Sequence, residues 1–369
     1  SIAYKREPNP LYQEVVFDTI LFLNRELLSA RGLYYSSLDA DSDGEEGLFY
    51  TYTFTELAQL KNEEFIKTYS ISKQGNWEEG RNILFRSSPI LNSHFKKEIN
   101  QLKSLRDQRI RPGTDTKEIL VWNAQLVLAF LDVYQVFSRQ EDIDSAIDLM
   151  NSIEKYFSVE NRWFHQSEFS REPIIAFLDD MSALVLAYTK LYITTEKSEY
   201  LHKADDLIQL ISSTYSHTEL ALFQYRSNQA DYLIAEKVEV MDSVMPSSNS
   251  MLCEAFLWNG ILLNKAEYTI KGRDMLGQIL ERAIAHPAYF ANWLRIYSDW
   301  IEHPKALLKY NPSVHSKENL DRHDWCIDEE QLILLPSTSS KEYLVCVGNY
   351  CFAPAATLAE VDKQLATLI

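Results

Sequence analysis

Five apolar residues, Phe177, Met181, Leu184, Tyr188 and Leu191, recur at spacings of three and four, which gathers them on one face of an α-helix and scatters them on a strand. A polar break at Thr194-Thr195-Glu196-Lys197 follows, and a second periodic stretch carries Ala204, Leu207 and Ile211. The pattern predicts a helical hairpin. Val16, Ile20, Leu23 and Leu27 repeat it, as do Leu126, Phe130, Val133 and Phe137. Further periodic segments near 54–68, 93–107, 144–157, 250–268, 272–285 and 288–302 bring the expectation to about ten or more helices with short connections.

Strand-like runs are confined to Leu48–Thr53, Leu222–Tyr225, Leu332–Leu335 and Tyr343–Val347, and read as local β-hairpins in loops. Serial helical hairpins either stack as an open solenoid or close into a ring. No short repeat motif is evident, and the loop at 32–53 is long, so the expectation is an all-α protein closed as a single α/α toroid over residues 1–369. Residues 305–369, with proline breaks and alternating apolar residues, read as a small C-terminal cap.

Fifty-three acidic residues against 36 basic give a net charge of −17, the wrong sign for a phosphate backbone, so nucleic acid is not an expected partner. The four cysteines, Cys253, Cys326, Cys346 and Cys351, are too scattered for a secreted disulfide framework, and a reduced, cytoplasmic setting is the expectation. Neither a signal peptide nor a membrane partner is expected, since no run of eighteen uncharged apolar residues occurs. Eight histidines show no zinc-binding spacing, and no phosphate-cradling glycine loop or G-x-S-x-G elbow appears. Neither a metal nor a cofactor is expected.

The most unusual stretch is Leu38-Asp39-Ala40-Asp41-Ser42-Asp43-Gly44-Glu45-Glu46-Gly47. Five carboxylates this close repel one another unless they are solvated, protonated, hydrogen-bonded or occupied by a cation. Asp39, Asp41, Asp43 and Gly44 match the first half of a calcium loop, but Tyr50 stands where the bidentate glutamate belongs. Asp39 and Asp41, two apart, would point the same way on an extended backbone, as a catalytic pair requires. A solvated turn whose aspartates cap local amides is the third reading, and the residues leave these open.

At this loop the chain resembles the spermatogenesis-associated protein 20 family, which includes the bacterial YyaL-type proteins and carries L-D-A-D-S-x-G-E-E-G-x-F-Y. Arg111-Pro112-Gly113-Thr114-Asp115-Thr116-Lys117 with Trp122-Asn123-Ala124 is similar to the family's R-P-x-x-D-D-K and W-N-G. Leu178-Asp179-Asp180-Met181-Ser182 resembles L-D-D-Y-A, and Asp242 to Ser250 resembles D-x-x-x-P-S-G-N-S. Thr116, Ala124, Met181-Ser182 and Ser248 depart from those patterns, marking a divergent member. The resemblance implies a six-hairpin glycosidase-type (α/α)6 toroid, usually preceded by a thioredoxin-like domain that this chain does not resemble.

The resemblance further implies a central pocket suited to a small-molecule carbohydrate, with glycosidase and sugar-epimerase chemistry both open. A non-catalytic module partnering a thioredoxin-like domain is the alternative. The candidate catalytic carboxylates are Asp39, Asp41, Asp179 and Asp180. Candidate substrate-binding residues are Glu45, Glu46, Arg111, Asp115, Lys117, Trp122, Asn123, His165, Asp242 and Asn249. Several have a structural reading beside the functional one: Asp179 and Asp180 open a helix as dipole-favoured caps, Trp122 fits a core, His165 fits a packed interior, and Asn249 fits an N-cap.

Overall fold

The computed structural model describes residues 1–167, 173–230, 237–302, 304, 306–327, 332–337, 340–347 and 350–368. The chain is mainly helical and separates into two compact units, Ser1–Ile119 with Asp132–Asp144, and Leu120–Leu131 with Ser145–Ile369.

In the first unit, helix α1 (Pro10–Glu26) begins at Asn9, whose side chain accepts from the Leu11 amide at 2.9 Å, and Pro10 sits at N1, where a missing N–H costs nothing. Strand β1 (Tyr35–Leu38) is followed by the acidic loop, a tight hairpin of β2 (Asp41–Ser42) and β3 (Glu45–Glu46). Its turn places Asp43 at φ 54° and Gly44 at φ 80°, the left-handed pair that an Asp-Gly turn adopts readily. Tyr52, Leu57, Phe65, Tyr69, Phe95 and Leu102, the last on α2 (Lys96–Arg106), form the core cluster beside it.

Strand β4 (Thr114–Glu118) pairs antiparallel with β1, bringing Ser37 opposite Asp115 and Leu38 opposite Thr114. The Asp39 amide donates to the Gly113 carbonyl at 2.7 Å, and the Ser36 hydroxyl donates to the Lys117 carbonyl at 2.6 Å. Two motif blocks more than seventy residues apart are thus one ladder. Helices α3 (Leu120–Phe137) and α4 (Gln140–Phe157) each contribute residues to both units. Helix α3 is long and apolar enough to cross a bilayer by composition, yet its Val121, Val127, Phe130 and Leu131 are buried within the protein.

The second unit contains the expected hairpin of α5 (Leu178–Thr195) and α6 (Ser198–Thr214). Helix α5 also packs on α7 (Ser248–Leu262), which pairs with α8 (Ala266–Ala285) before α9 (Ala291–Tyr297). Gly260 and Gly272 let α7 and α8 approach closely, since a Cβ on Gly272 would stand 2.9 Å from the Leu257 side chain.

The C-terminal segment departs from the expected local hairpins. Strands β5 (Ala306–Tyr310), β6 (Leu332–Pro336), β7 (Leu344–Val347) and β8 (Tyr350–Cys351) form one sheet in the order β6-β5-β7-β8, with β5 and β6 parallel. Parallel neighbours need a long crossover, which a local reading of each run does not anticipate. Helix α10 (Leu358–Leu365) covers the sheet with Val361 and Leu365. Cys346 and Cys351 lie directly opposite each other on β7 and β8 and form a disulfide, whereas the sequence reading expected reduced cysteines. Scatter along the whole chain hid a pair that strand register brings together. Cys253 and Cys326 are free thiols.

Candidate active site

The first turn of α5 carries Leu178, Asp179 and Asp180 after Phe177 at the N-cap. Helix starts leave amide donors without intrahelical partners, so acids there are locally favoured. Asp180 does more than cap. Its Oδ2 accepts from the Phe177 amide at 2.8 Å, its Oδ1 accepts from the Val121 amide at 2.9 Å, and Oδ2 lies 2.8 Å from His165 Nδ1. The side chain is fully buried. A second bond locks the arrangement, from the Leu120 amide to the His165 carbonyl at 3.0 Å.

Two backbone amides already donate to Asp180, so an ionised carboxylate there requires the remaining donor, Nδ1–H, from His165. That leaves the lone pair on Nε2, for which the described residues show no hydrogen-bond partner. The His165 side chain keeps 18% of its surface. Burial works against its protonation, but the hydrogen bond to Asp180 and the charges of Asp180 and Asp179 outweigh burial and raise the imidazole above its usual value.

Asp179 points elsewhere. Its Oδ1 accepts from the Asp180 amide at 2.9 Å and its Oδ2 accepts from the Tyr225 hydroxyl at 3.0 Å. Burial, and then the neighbouring Asp180 charge, push its carboxyl up to about 6, with Glu239 adding to the effect. Burial also raises Asp180, against the downward pull of His165 and the two amides. Tyr225 is raised by burial and by the Asp179 charge, so its phenol stays protonated.

Phe177 packs against both the His165 and the Tyr225 rings. Tyr225 stacks on its ring at 5.0 Å and 9°, and His165 meets it at 5.0 Å and 64°. Lys237 Nζ lies 4.4 Å from the Tyr225 ring centroid and pairs with Glu239 at 2.9 Å. The Tyr225 backbone is held on both sides, its amide donating to Lys237 O at 2.7 Å and its carbonyl accepting from Leu178 N at 2.9 Å.

Asn249 corrects an expectation. The N-cap of α7 is Ser247, and Asn249, the second residue of the helix, is buried with its amide clamping another segment. Its Oδ1 accepts from Phe223 N at 2.8 Å, and its Nδ2 donates to the Phe223 and Glu239 carbonyls, both at 2.9 Å. The residue fixes the segment bearing Tyr225, and a carboxamide that saturated has no donor left for substrate. Asp242 is likewise committed, accepting from the Ser247 and Asn292 amides at 2.8 Å each.

Trp122 also reverses its structural expectation: the indole is 42% exposed, while the next residue, Asn123, is the buried one. Fixing the Val121 amide on Asp180 sets the helix phase, which turns Trp122 outward and Asn123 inward.

The remaining candidates lie in the first unit. Asp39, Asp41, Glu45 and Glu46 are exposed on the hairpin, with the Asp41 amide donating to Asp39 Oδ1 at 3.1 Å, as in the solvated-turn reading. Arg111 pairs with Glu26 at 2.7 Å. Lys117 and Asp115 form a surface ion pair at 2.5 Å, and the hydrogen bond from Lys117 holds the Asp115 carboxyl below its usual range.

Tyr225 and Glu239 are the residues that the sequence reading missed as site members. The apolar alternation at Leu222–Tyr225 marked a strand, but a phenol reaching a helix N-terminus over forty residues away leaves no local trace.

No family model matches the chain. It is 24% identical to an uncharacterized protein of Caenorhabditis elegans, over 68% of this chain and 41% of that one. It is 22% identical to human spermatogenesis-associated protein 20, over 55% of this chain and 32% of that one. The chain therefore spans less than half the length of the curated relatives it matches. Among solved structures it is similar to a GH76 alpha-mannanase of Bacteroides thetaiotaomicron (12% identity, 73% and 70% coverage, TM-score 0.39). A cellobiose 2-epimerase of Bacillus thermoamylovorans gives 16% identity, 73% and 71% coverage, and a TM-score of 0.37. Likeness at that level leaves the chemistry to be argued from this chain's own residues. The human relative and the four motif blocks agree in marking a resemblance to the spermatogenesis-associated protein 20 family.

Proposed function

We propose that the second unit holds an acid–base site that acts on a carbohydrate by proton transfer, in the manner of a sugar isomerase or epimerase, within an α/α toroid. The observation that carries this reading is the His165–Asp180 pair, with one imidazole nitrogen anchored at 2.8 Å and the other left to accept a proton. A carboxylate behind a histidine fixes its tautomer and stabilises the imidazolium that forms, the usual basis of general-base work near neutral pH. Trp122, exposed one residue beyond the amide that holds Asp180, offers an apolar face for a sugar ring. The carbohydrate class rests on the sequence resemblance.

Glycoside hydrolysis fits less well. It needs two carboxyl groups about 5 to 10 Å apart on either side of the scissile bond. Asp179 and Asp180 have their oxygens engaged by amides, His165 and Tyr225.

The test is to incubate the chain with D-glucose, D-mannose and D-galactose in D2O and follow loss of the C2 proton by NMR. Exchange in the wild type, lost on His165→Gln, supports the reading; no exchange with any sugar counts against it. The same saturated carboxylates favour a second reading, a non-catalytic module that holds a carbohydrate or a thioredoxin-like domain. Saturable heat of binding for a sugar or for such a domain, without exchange, would select it.

A further inference from the structure

We propose that a groove between α8 and the turn after α9 is a second ligand site, which takes a carboxylate with an apolar tail, such as a medium-chain fatty acid. It shares no residue with the His165–Asp180 pair, so either site can fail without the other.

The groove encloses about 460 Å³, within the usual range for small-molecule sites. One wall is a single stripe of α8, Arg273, Leu276, Gly277 and Leu280, at the spacing that puts side chains on one helix face. The other wall is Tyr297, at the end of α9, with Trp300 and Ile301 of the helical turn Ser298–Glu302. Tyr297, Trp300 and Ile301 are each partly exposed, so the groove opens to water with its apolar lining uncovered. Trp300 is held in place, edge-on to Trp258 at 4.9 Å, and Trp258 packs against the core cluster of Leu307, Leu335 and Cys346.

Gly277 is what keeps this space open. Gly272 on the same helix is explained by close packing, since a Cβ there would strike Leu257, but a Cβ on Gly277 would meet nothing within 4 Å. A glycine in a helix interior costs stability, and the protein's own packing at Gly277 gives no return for it. Room for a ligand does. Arg273 is the one charged side chain among the described lining residues, and no carboxylate joins it although the chain carries a net charge of −17. A guanidinium recognises a carboxylate through two parallel hydrogen bonds. Arg273 and Leu280 lie about two turns apart, roughly 10 Å along the axis, so the charge stands toward one end of an apolar trough. A ligand with an anionic head and a hydrocarbon tail matches that layout.

The experiment titrates the full chain with decanoate, and separately with decanol, at neutral pH by calorimetry and tryptophan fluorescence. Wild type should bind one decanoate per chain, with decanol about tenfold weaker or more. Shortening decanoate to octanoate and hexanoate should lose about fourfold in affinity per methylene. Gly277→Leu fills the groove with a better helix former, so binding should fall at least about tenfold while the melting temperature stays at or above that of wild type. Arg273→Met should bring decanoate down to the level of decanol and leave decanol unchanged, and Trp300→Phe should remove most of the fluorescence change. Three results each overturn the proposal: no saturable binding to wild type, decanol binding as tightly as decanoate, or decanoate binding that survives Gly277→Leu.

Discussion

His165 Nδ1 lies 2.8 Å from Asp180 Oδ2, and that carboxylate also accepts two backbone amides, from Phe177 and Val121. One side chain therefore sets a helix start, the phase of another helix and the tautomer of a histidine. Because His165 is raised in the folded protein, its stabilisation is fully present below the usual histidine value, about 6.5, and is lost as pH rises through the folded value. Asp180→Asn should lower the His165 value below that of wild type, read from imidazole proton shifts in an NMR titration. Replacing a carboxylate oxygen with an amide group also sets N–H against N–H, and a loss of about 2 kcal/mol in urea unfolding is expected.

Asp179 has the opposite linkage to an ordinary salt-bridged aspartate. Its folded value, about 6, lies above its unfolded value, with Asp180, Tyr225 and Glu239 as the charged and titratable neighbours. The native state therefore binds more protons between pH 4 and 6, and this group's contribution falls as pH rises through that window. At pH 7 the penalty is on the order of 3 kcal/mol. Asp179→Asn should flatten the pH dependence of stability between pH 4 and 6 and recover part of that penalty at pH 7. Chemical denaturation at a series of pH values measures both.

The acidic hairpin is expected to be governed by its backbone. Gly44 stands at φ 80° with open space around it, so Gly44→Ala should cost about 1 kcal/mol through conformation alone. Asp39→Asn and Asp41→Asn, both on exposed side chains, should stay within about 0.5 kcal/mol of wild type. Thermal melts of the three variants compare these costs, and a large loss on Asp39→Asn would show that the loop carboxylates are structural.

The Cys346–Cys351 bridge closes a short loop between β7 and β8. The loop-entropy relation gives about 2 kcal/mol for a ring this small. Dithiothreitol and Cys351→Ser should lower the melting temperature by similar amounts, and the reductant should have no further effect on the variant. Mass measurement after thiol alkylation under non-reducing conditions should count two reactive cysteines, Cys253 and Cys326, once the protein is unfolded.

Local periodicity was sufficient for the helical character. Phe177, Met181, Leu184, Tyr188 and Leu191 specify α5 because an apolar stripe at that spacing can be buried only by a helix. Asp43-Gly44 likewise specifies its turn, since few residue pairs adopt two positive φ angles cheaply. Clusters of charge were equally visible, among them the adjacent Asp179 and Asp180. Partners were not legible. Which atom of Asp180 meets His165, that Tyr225 reaches Asp179, that Asn249 clamps Phe223 instead of capping its helix, and that Trp122 faces outward while Asn123 is buried all depend on helix phase and on contacts between distant segments. A sequence determines the interactions a residue makes with its near neighbours along the chain. Tertiary structure alone decides those made across it, because they arise only once separate elements have buried their apolar faces together.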